Sequence, residues 1–166
     1  MTRILKRSLG LLIVPVLCFS FSNVPDHADF TGEWKLNEAK SDLGQFAPYA
    51  PRTIKVTQTA DSISITKVAP GFNGDDVTTS ETLSYDGKET KSTIYGTSTR
   101  TASVKWSDDG QTLTITYELL LDFNGQQTDI KGTEVWGLSD GGKALVSQNN
   151  SSSSFGDIQA KGIYEK

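Results

Sequence analysis

The stretch FTGEWKLN, residues 30–37, decides the fold. Phe30, Gly32, Trp34 and Leu36 occupy alternate positions, so an extended chain puts all four on one face. Trp34 gives that face a large apolar plug. Gly32, lacking a side chain, lets another group come close to the backbone beside it. A strand built this way needs neighbours to bury it, and the chain that follows offers many.

RTIKVTQ (52–58) places Ile54 and Val56 on one side, and SISITKV (62–68) places Ile63 and Ile65 together. TASVKW (101–106) aligns Ala102, Val104 and Trp106. QTLTITYELLL (111–121) is the clearest case. Leu113, Ile115, Tyr117, Leu119 and Leu121 face one way, and Thr112, Thr114, Thr116 and Glu118 the other. A period of two with β-branched residues predicts half-buried strands. Turn signals separate them: TADS at 59–62, Asp86-Gly87, DDG at 108–110, Asn124-Gly125 and DGG at 140–142. Gly, Asn and Asp reach the positive φ that tight hairpins need.

The pattern predicts nine or ten strands, near 30–36, 52–58, 62–68, 77–85, 89–95, 99–107, 111–121, 127–137, 143–149 and 157–165. No Pro follows Pro70, which fits uninterrupted ladder pairing. The one helical candidate is Glu38 to Gly44, and the serines at 151–154 read as a flexible loop. A long antiparallel meander has two exposed edges, and closing it on itself removes them. The expected architecture is therefore all-β: an antiparallel up-and-down barrel of 8–10 strands with little helix, one domain over 30–166. A two-sheet sandwich is the competitor.

The N-terminus belongs to a different class. Arg3, Lys6 and Arg7 precede an apolar run, Leu9 to Phe21, that is too short for the about 20 residues a membrane span requires. Ser20 and Ser22 are small and two apart, so residues 1–22 read as a signal peptide cut near Ser22, followed by a linker over 23–29. The protein is expected to be exported, periplasmic or secreted, with no membrane span in the mature chain. Lipoprotein processing at Cys18 is disfavoured by the bulky Leu17 before it.

Removing that segment takes away the only Cys and the only Met, and leaves His27 in the linker. A Cys–His or Ser–His–Asp arrangement and a Cys/His zinc site then have no residues in the barrel to build them. No cofactor and no metal are expected, and the chain is not expected to be an enzyme. The remaining 13 basic and 20 acidic residues leave a net charge of −7, which disfavours nucleic acid and anionic membranes as partners. A monomer is expected.

Strand phase directs a few polar residues toward apolar faces. Arg100 is in phase with Ala102, Val104 and Trp106; Glu81 with Leu83 and Tyr85; Glu134 with Ile130 and Trp136. Lys67 follows Ile63 and Ile65, Gln58 follows Ile54 and Val56, and Tyr164 is in phase with Ile158 and Ala160. A buried Arg costs several kcal/mol unless paired, so Arg100 needs Glu81, Glu134, a ligand or water. Three roles are open to such residues: solvated strand ends or internal ion pairs, ligand orientation, or acid–base chemistry by Glu81 and Glu134. The candidate ligand-binding residues are Arg100, Tyr164, Trp106, Trp136, Tyr117, Glu81 and Glu134, with Gly32 and Trp34 as the structural motif.

The Gly32-x-Trp34 opening resembles that of the calycins, the lipocalins and the fatty-acid-binding proteins, whose first-strand Trp closes the bottom of the barrel. FTGEWKLN and the ending GIYEK (162–166) look most like the fatty-acid-binding branch. As a whole the chain is similar to short secreted bacterial lipocalin-like proteins. The resemblance implies a barrel with a small hydrophobic ligand inside. It also implies two departures. The helix–turn–helix lid of the fatty-acid-binding proteins has only 38–51 to form in, with Pro48 and Pro51 there. Their last strand has an Arg two residues before a Tyr, both holding the ligand carboxylate; here Tyr164 matches the Tyr and Gly162 stands in the Arg position. Three functions are carried forward: an exported binding module for a small apolar molecule, a surface barrel with a filled core that binds other proteins, and a carboxylate-based barrel enzyme.

Overall fold

Ten strands follow one another along the chain: β1 (Gly32–Leu36), β2 (Thr53–Gln58), β3 (Ser62–Pro70), β4 (Asp76–Ser84), β5 (Thr90–Ile94), β6 (Ser98–Trp106), β7 (Thr112–Phe123), β8 (Gln126–Ser139), β9 (Ala144–Ser153) and β10 (Gly156–Glu165). The structure is a computed structural model describing residues 27–71, 74–94, 97–123 and 125–166. The expected signal peptide lies outside the described residues. Among those described, no helix is long and apolar enough to cross a membrane.

All ten strands belong to one antiparallel sheet in the order β4-β3-β2-β1-β10-β9-β8-β7-β6-β5. Each strand pairs with its neighbour in sequence, except β4 with β5. The first and last strands meet, with Lys35 opposite Glu165 and Leu36 opposite Tyr164. That contact curls the meander into a barrel. β4 and β5 are left as the sheet's two edges, so the barrel is nearly closed, with a seam between them. Closure on itself is what removes exposed edges from an all-β chain.

Gly32 and Trp34 close one end. Trp34 is fully buried, and its Nε1 donates to the Phe30 carbonyl at 2.8 Å. Lys166 lies over the indole, its Nζ 4.5 Å from the ring centroid. Its stem passes across Gly32, where a Cβ would sit 3.0 Å from Lys166 Cε, and φ there is +142°. The close approach that glycine permits is therefore the C-terminal lysine. Phe30, Trp106 and Trp136 form an aromatic layer above Trp34's end, and His27 stacks on Trp106 at 4.4 Å between centroids. Gln58 ties this end together: its amide accepts from Phe30 N–H and donates to the Ala28 carbonyl and to Tyr85 Oη. Ile63, Leu83, Leu113 and Leu145 are also fully buried. Each such side chain is worth about 1.5–3 kcal/mol of burial, so this packed half holds most of the core's stability.

Two local expectations are corrected. Ser151–Ser153 are not loop but the end of β9, paired with β8 on one side and β10 on the other. Two flanking ladders satisfy every backbone group there, which outweighs the weak strand preference of serine. In place of one helix near 38–44 there are two 3-10 segments, Glu38–Lys40 and Gly44–Tyr49, the second containing Pro48. Short 3-10 turns tolerate such a sequence better than a longer α-helix. This segment is strapped to β10: Asp42 N–H donates to the Lys161 carbonyl at 2.9 Å, and Ile163 N–H donates to Ser41 Oγ at 2.9 Å.

Candidate functional site

The end opposite Trp34 is not packed. It encloses a cavity of about 630 Å3. Ile54, Ile65, Ala69, Leu119 and Ile130 supply apolar wall. The second 3-10 segment covers the mouth with Gln45, Phe46 and Tyr49, and Phe155, 81% exposed in the β9–β10 turn, stands at the rim. A mainly apolar cavity with a few placed polar groups is the usual form of a small-molecule site.

The polar groups form a belt between the packed half and the cavity. Lys67 on β3 reaches across the barrel to Glu134 on β8, its Nζ 2.7 Å from both carboxylate oxygens. Trp136 Nε1 donates to the same carboxylate at 3.2 Å. Arg100 on β6 donates from Nε to Glu81 on β4 at 3.1 Å, and its Nη2 lies 3.9 Å from Glu134. The Arg100–Glu81 pair spans the seam where no ladder joins β4 to β5, so a side-chain bond does there what backbone bonds do elsewhere. All four side chains are between 10% and 14% exposed. Burial alone would raise the Glu134 pKa, but the charges of Lys67 and Arg100 more than offset it and hold the carboxyl below its ordinary range.

Two tyrosines complete the wall. The Tyr117 ring lies under the Arg100 guanidinium, 4.2 Å from its centroid, and its hydroxyl donates to Asn149 Oδ1 at 2.9 Å. Tyr164 faces the cavity from β10. Burial pushes both phenols above their usual pKa, with the Glu134 charge adding to it. Each ring is seated on a glycine. A Cβ on Gly132 would lie 2.7 Å from Tyr117 Cζ, and one on Gly162 would lie 2.6 Å from Tyr164 Cε2. A long side chain at 162 would displace the Tyr164 ring, which gives the glycine at that position a physical reason.

Of the candidate residues, Arg100, Glu81, Glu134, Tyr117 and Tyr164 all border this one cavity. Trp106 and Trp136 are on inward faces but belong to the packed half, and Gly32 and Trp34 lie at the closed end. Lys67 is in phase with its apolar neighbours yet is not among the candidates, although it makes the tightest pair in the belt. Asn149 is a further member that strand phase did not pick out. Alternation of Leu145, Ser147 and Asn149 along β9 is the signal that finds it.

No family model matches this sequence, and no curated protein matches it. Solved structures do. The zebrafish ileal bile acid-binding protein complexed with cholic acid superposes with a TM-score of 0.52 at 18% identity, covering 82% of this chain and 98% of that one. A point mutant of the fluorescent protein UnaG superposes with a TM-score of 0.50 at 17% identity, covering 82% and 95%. The likeness is one of fold: the chain shares with these two structures a nearly closed antiparallel barrel.

Proposed function

We propose that this protein binds one small, mainly apolar molecule in the open half of its barrel, and carries or sequesters it outside the cytoplasm. The observation that carries the reading is the 630 Å3 cavity, apolar along its walls and closed beneath by a charge belt. The neighbour complexed with cholic acid supports it, since a barrel of similar fold takes up a small molecule of this kind. Export rests on the Arg3–Ser22 segment alone.

A filled surface barrel has no use for such a cavity, so that alternative is disfavoured. Turnover by the carboxylates is disfavoured on chemistry. Glu134 is held ionised between two cations, which makes it a weak base and a poor proton donor. The test is native mass spectrometry of the purified chain for a co-purifying mass, with displacement of the neutral dye Nile red. Binding at one equivalent is expected, and Leu119→Trp, which fills the cavity, should abolish it while the thermal transition survives. No dye binding by the wild type would remove the reading.

A further inference from the structure

The charges in the cavity wall say what kind of head group the ligand has. Two cations and two carboxylates face this space, and they already satisfy one another. Lys67 is shared between both oxygens of Glu134, and Arg100 is held by Glu81 with Glu134 nearby. We propose that the cavity selects an uncharged amphiphile, an apolar body with a hydroxyl, carbonyl or amide group, over a carboxylate or an amine of the same shape. This deepens the interior-binding reading above and rests on it.

An entering carboxylate finds no unpaired cation among the described residues of the wall. Each positive group it could approach stands beside a carboxylate that repels it. To gain Lys67 or Arg100 it must displace Glu134 or Glu81, and a buried carboxylate robbed of its partner is strongly disfavoured. An ammonium meets the mirror image of this problem. The ligand's own charge would also leave water, which an interior without a free counter-ion does not offset.

A neutral polar group meets the opposite situation. Among the described residues, the Tyr164 and Ser147 hydroxyls border the cavity and make no hydrogen bond to the protein. These two hydroxyls can donate to or accept from a hydroxyl or a carbonyl without breaking an ion pair. Arg100 Nη2 makes no hydrogen bond either, but it is fully buried beside Glu134, so an occupant does not reach it. Burial keeps the Tyr164 phenol protonated at neutral pH, so its donor is always present. At the sequence level the same conclusion has a local cause. Gly162 leaves no second cation beside Tyr164, and the arginine inside the barrel is spoken for by Glu81.

The experiment measures displacement of Nile red from the full chain at neutral pH by dodecanol, dodecanoate and dodecylamine. The alcohol is expected to bind at least about tenfold more tightly than either ion, a gap of the size one unpaired charge readily produces. Glu134→Gln removes one carboxylate and leaves the interior with a net positive charge. The ratio of carboxylate to alcohol affinity should then rise by at least about tenfold. Glu118→Gln, which changes an exposed pair with Lys131 on the outer face, should leave that ratio where it was. A wild-type protein that takes up the dye but binds dodecanoate as tightly as dodecanol overturns this inference and leaves interior binding intact. A protein that takes up neither dye nor any of the three overturns both. The wild-type comparison decides the matter even if Glu134→Gln does not fold.

Discussion

Replacing Glu134 with Gln should be the most damaging near-isosteric change in the barrel. The carboxylate accepts from Lys67 at 2.7 Å on both oxygens, accepts from Trp136 at 3.2 Å, and has Arg100 at 3.9 Å. Its side chain is 11% exposed and that of Lys67 14%. Breaking a buried pair by removing one partner costs roughly 3–5 kcal/mol, because the other charge is left uncompensated. The cavity gives Lys67 some access to water, so the low end applies, about 3 kcal/mol. For a domain of this size that is a fall in Tm of roughly 6–12 °C. The acid limb adds an independent sign. Glu134 titrates below its ordinary 4.5 when folded, so the unfolded chain takes up that proton first as pH falls. The stability it supplies is whole above about 4.5 and drains as pH descends through the folded value, a slope that Glu134→Gln should reduce. The double change Lys67→Met with Glu134→Leu should recover much of the loss, since no stranded ammonium remains. Urea denaturation at several pH values and thermal melts followed by circular dichroism measure all of this. A loss under about 1 kcal/mol for Glu134→Gln would show a solvated pair and refute the reasoning.

Three further outcomes follow from the packing. Trp34→Ala should cost about 3–5 kcal/mol in urea denaturation, because the indole fills the closed end with nothing to collapse into its place. Gly132→Ala should cost about 1–3 kcal/mol, since the new methyl meets Tyr117 and the Asn150 carbonyl, both at 2.7 Å; an unchanged Tm would mean the ring has another place to go. The chain should lose stability above pH about 10, because Tyr164 and Tyr117 stay protonated when folded while the unfolded phenols ionise; Tyr164→Phe should flatten that alkaline slope in pH-dependent melts.

What the sequence made legible was direction, and what it hid was depth. Alternation alone shows that Arg100, Trp106, Glu134 and Trp136 point inward, and they do. It does not show how far along the barrel axis each one lies. That is set by the register between strands: Ile115 faces Glu134 and Leu113 faces Trp136, which puts the carboxylate at the cavity floor and the indole in the packed half. Partnership is hidden for the same reason. Lys67 and Glu134 are on strands that never pair, and only closure of β1 on β10 brings their walls face to face. The Gly32-x-Trp34 motif is readable because it combines a large ring with a bare backbone position on one strand. Gly132 and Gly162 are not, since the rings they accommodate are defined by cross-strand or rotamer geometry. The mouth is hidden too. Phe46 and Tyr49 sit in a 3-10 segment that carries neither a period of two nor a helical one.

Whether a ligand sits in the open half of the barrel is measured most directly by amide chemical-shift mapping with dodecanol, strand by strand. Shifts are expected at Lys67, Arg100, Leu119, Ile130 and Asn149, with Phe30, Trp34, Ile63 and Leu113 unmoved. Unperturbed spectra throughout, or shifts gathered around Trp34 or the outer serine and threonine rows, would contradict interior binding.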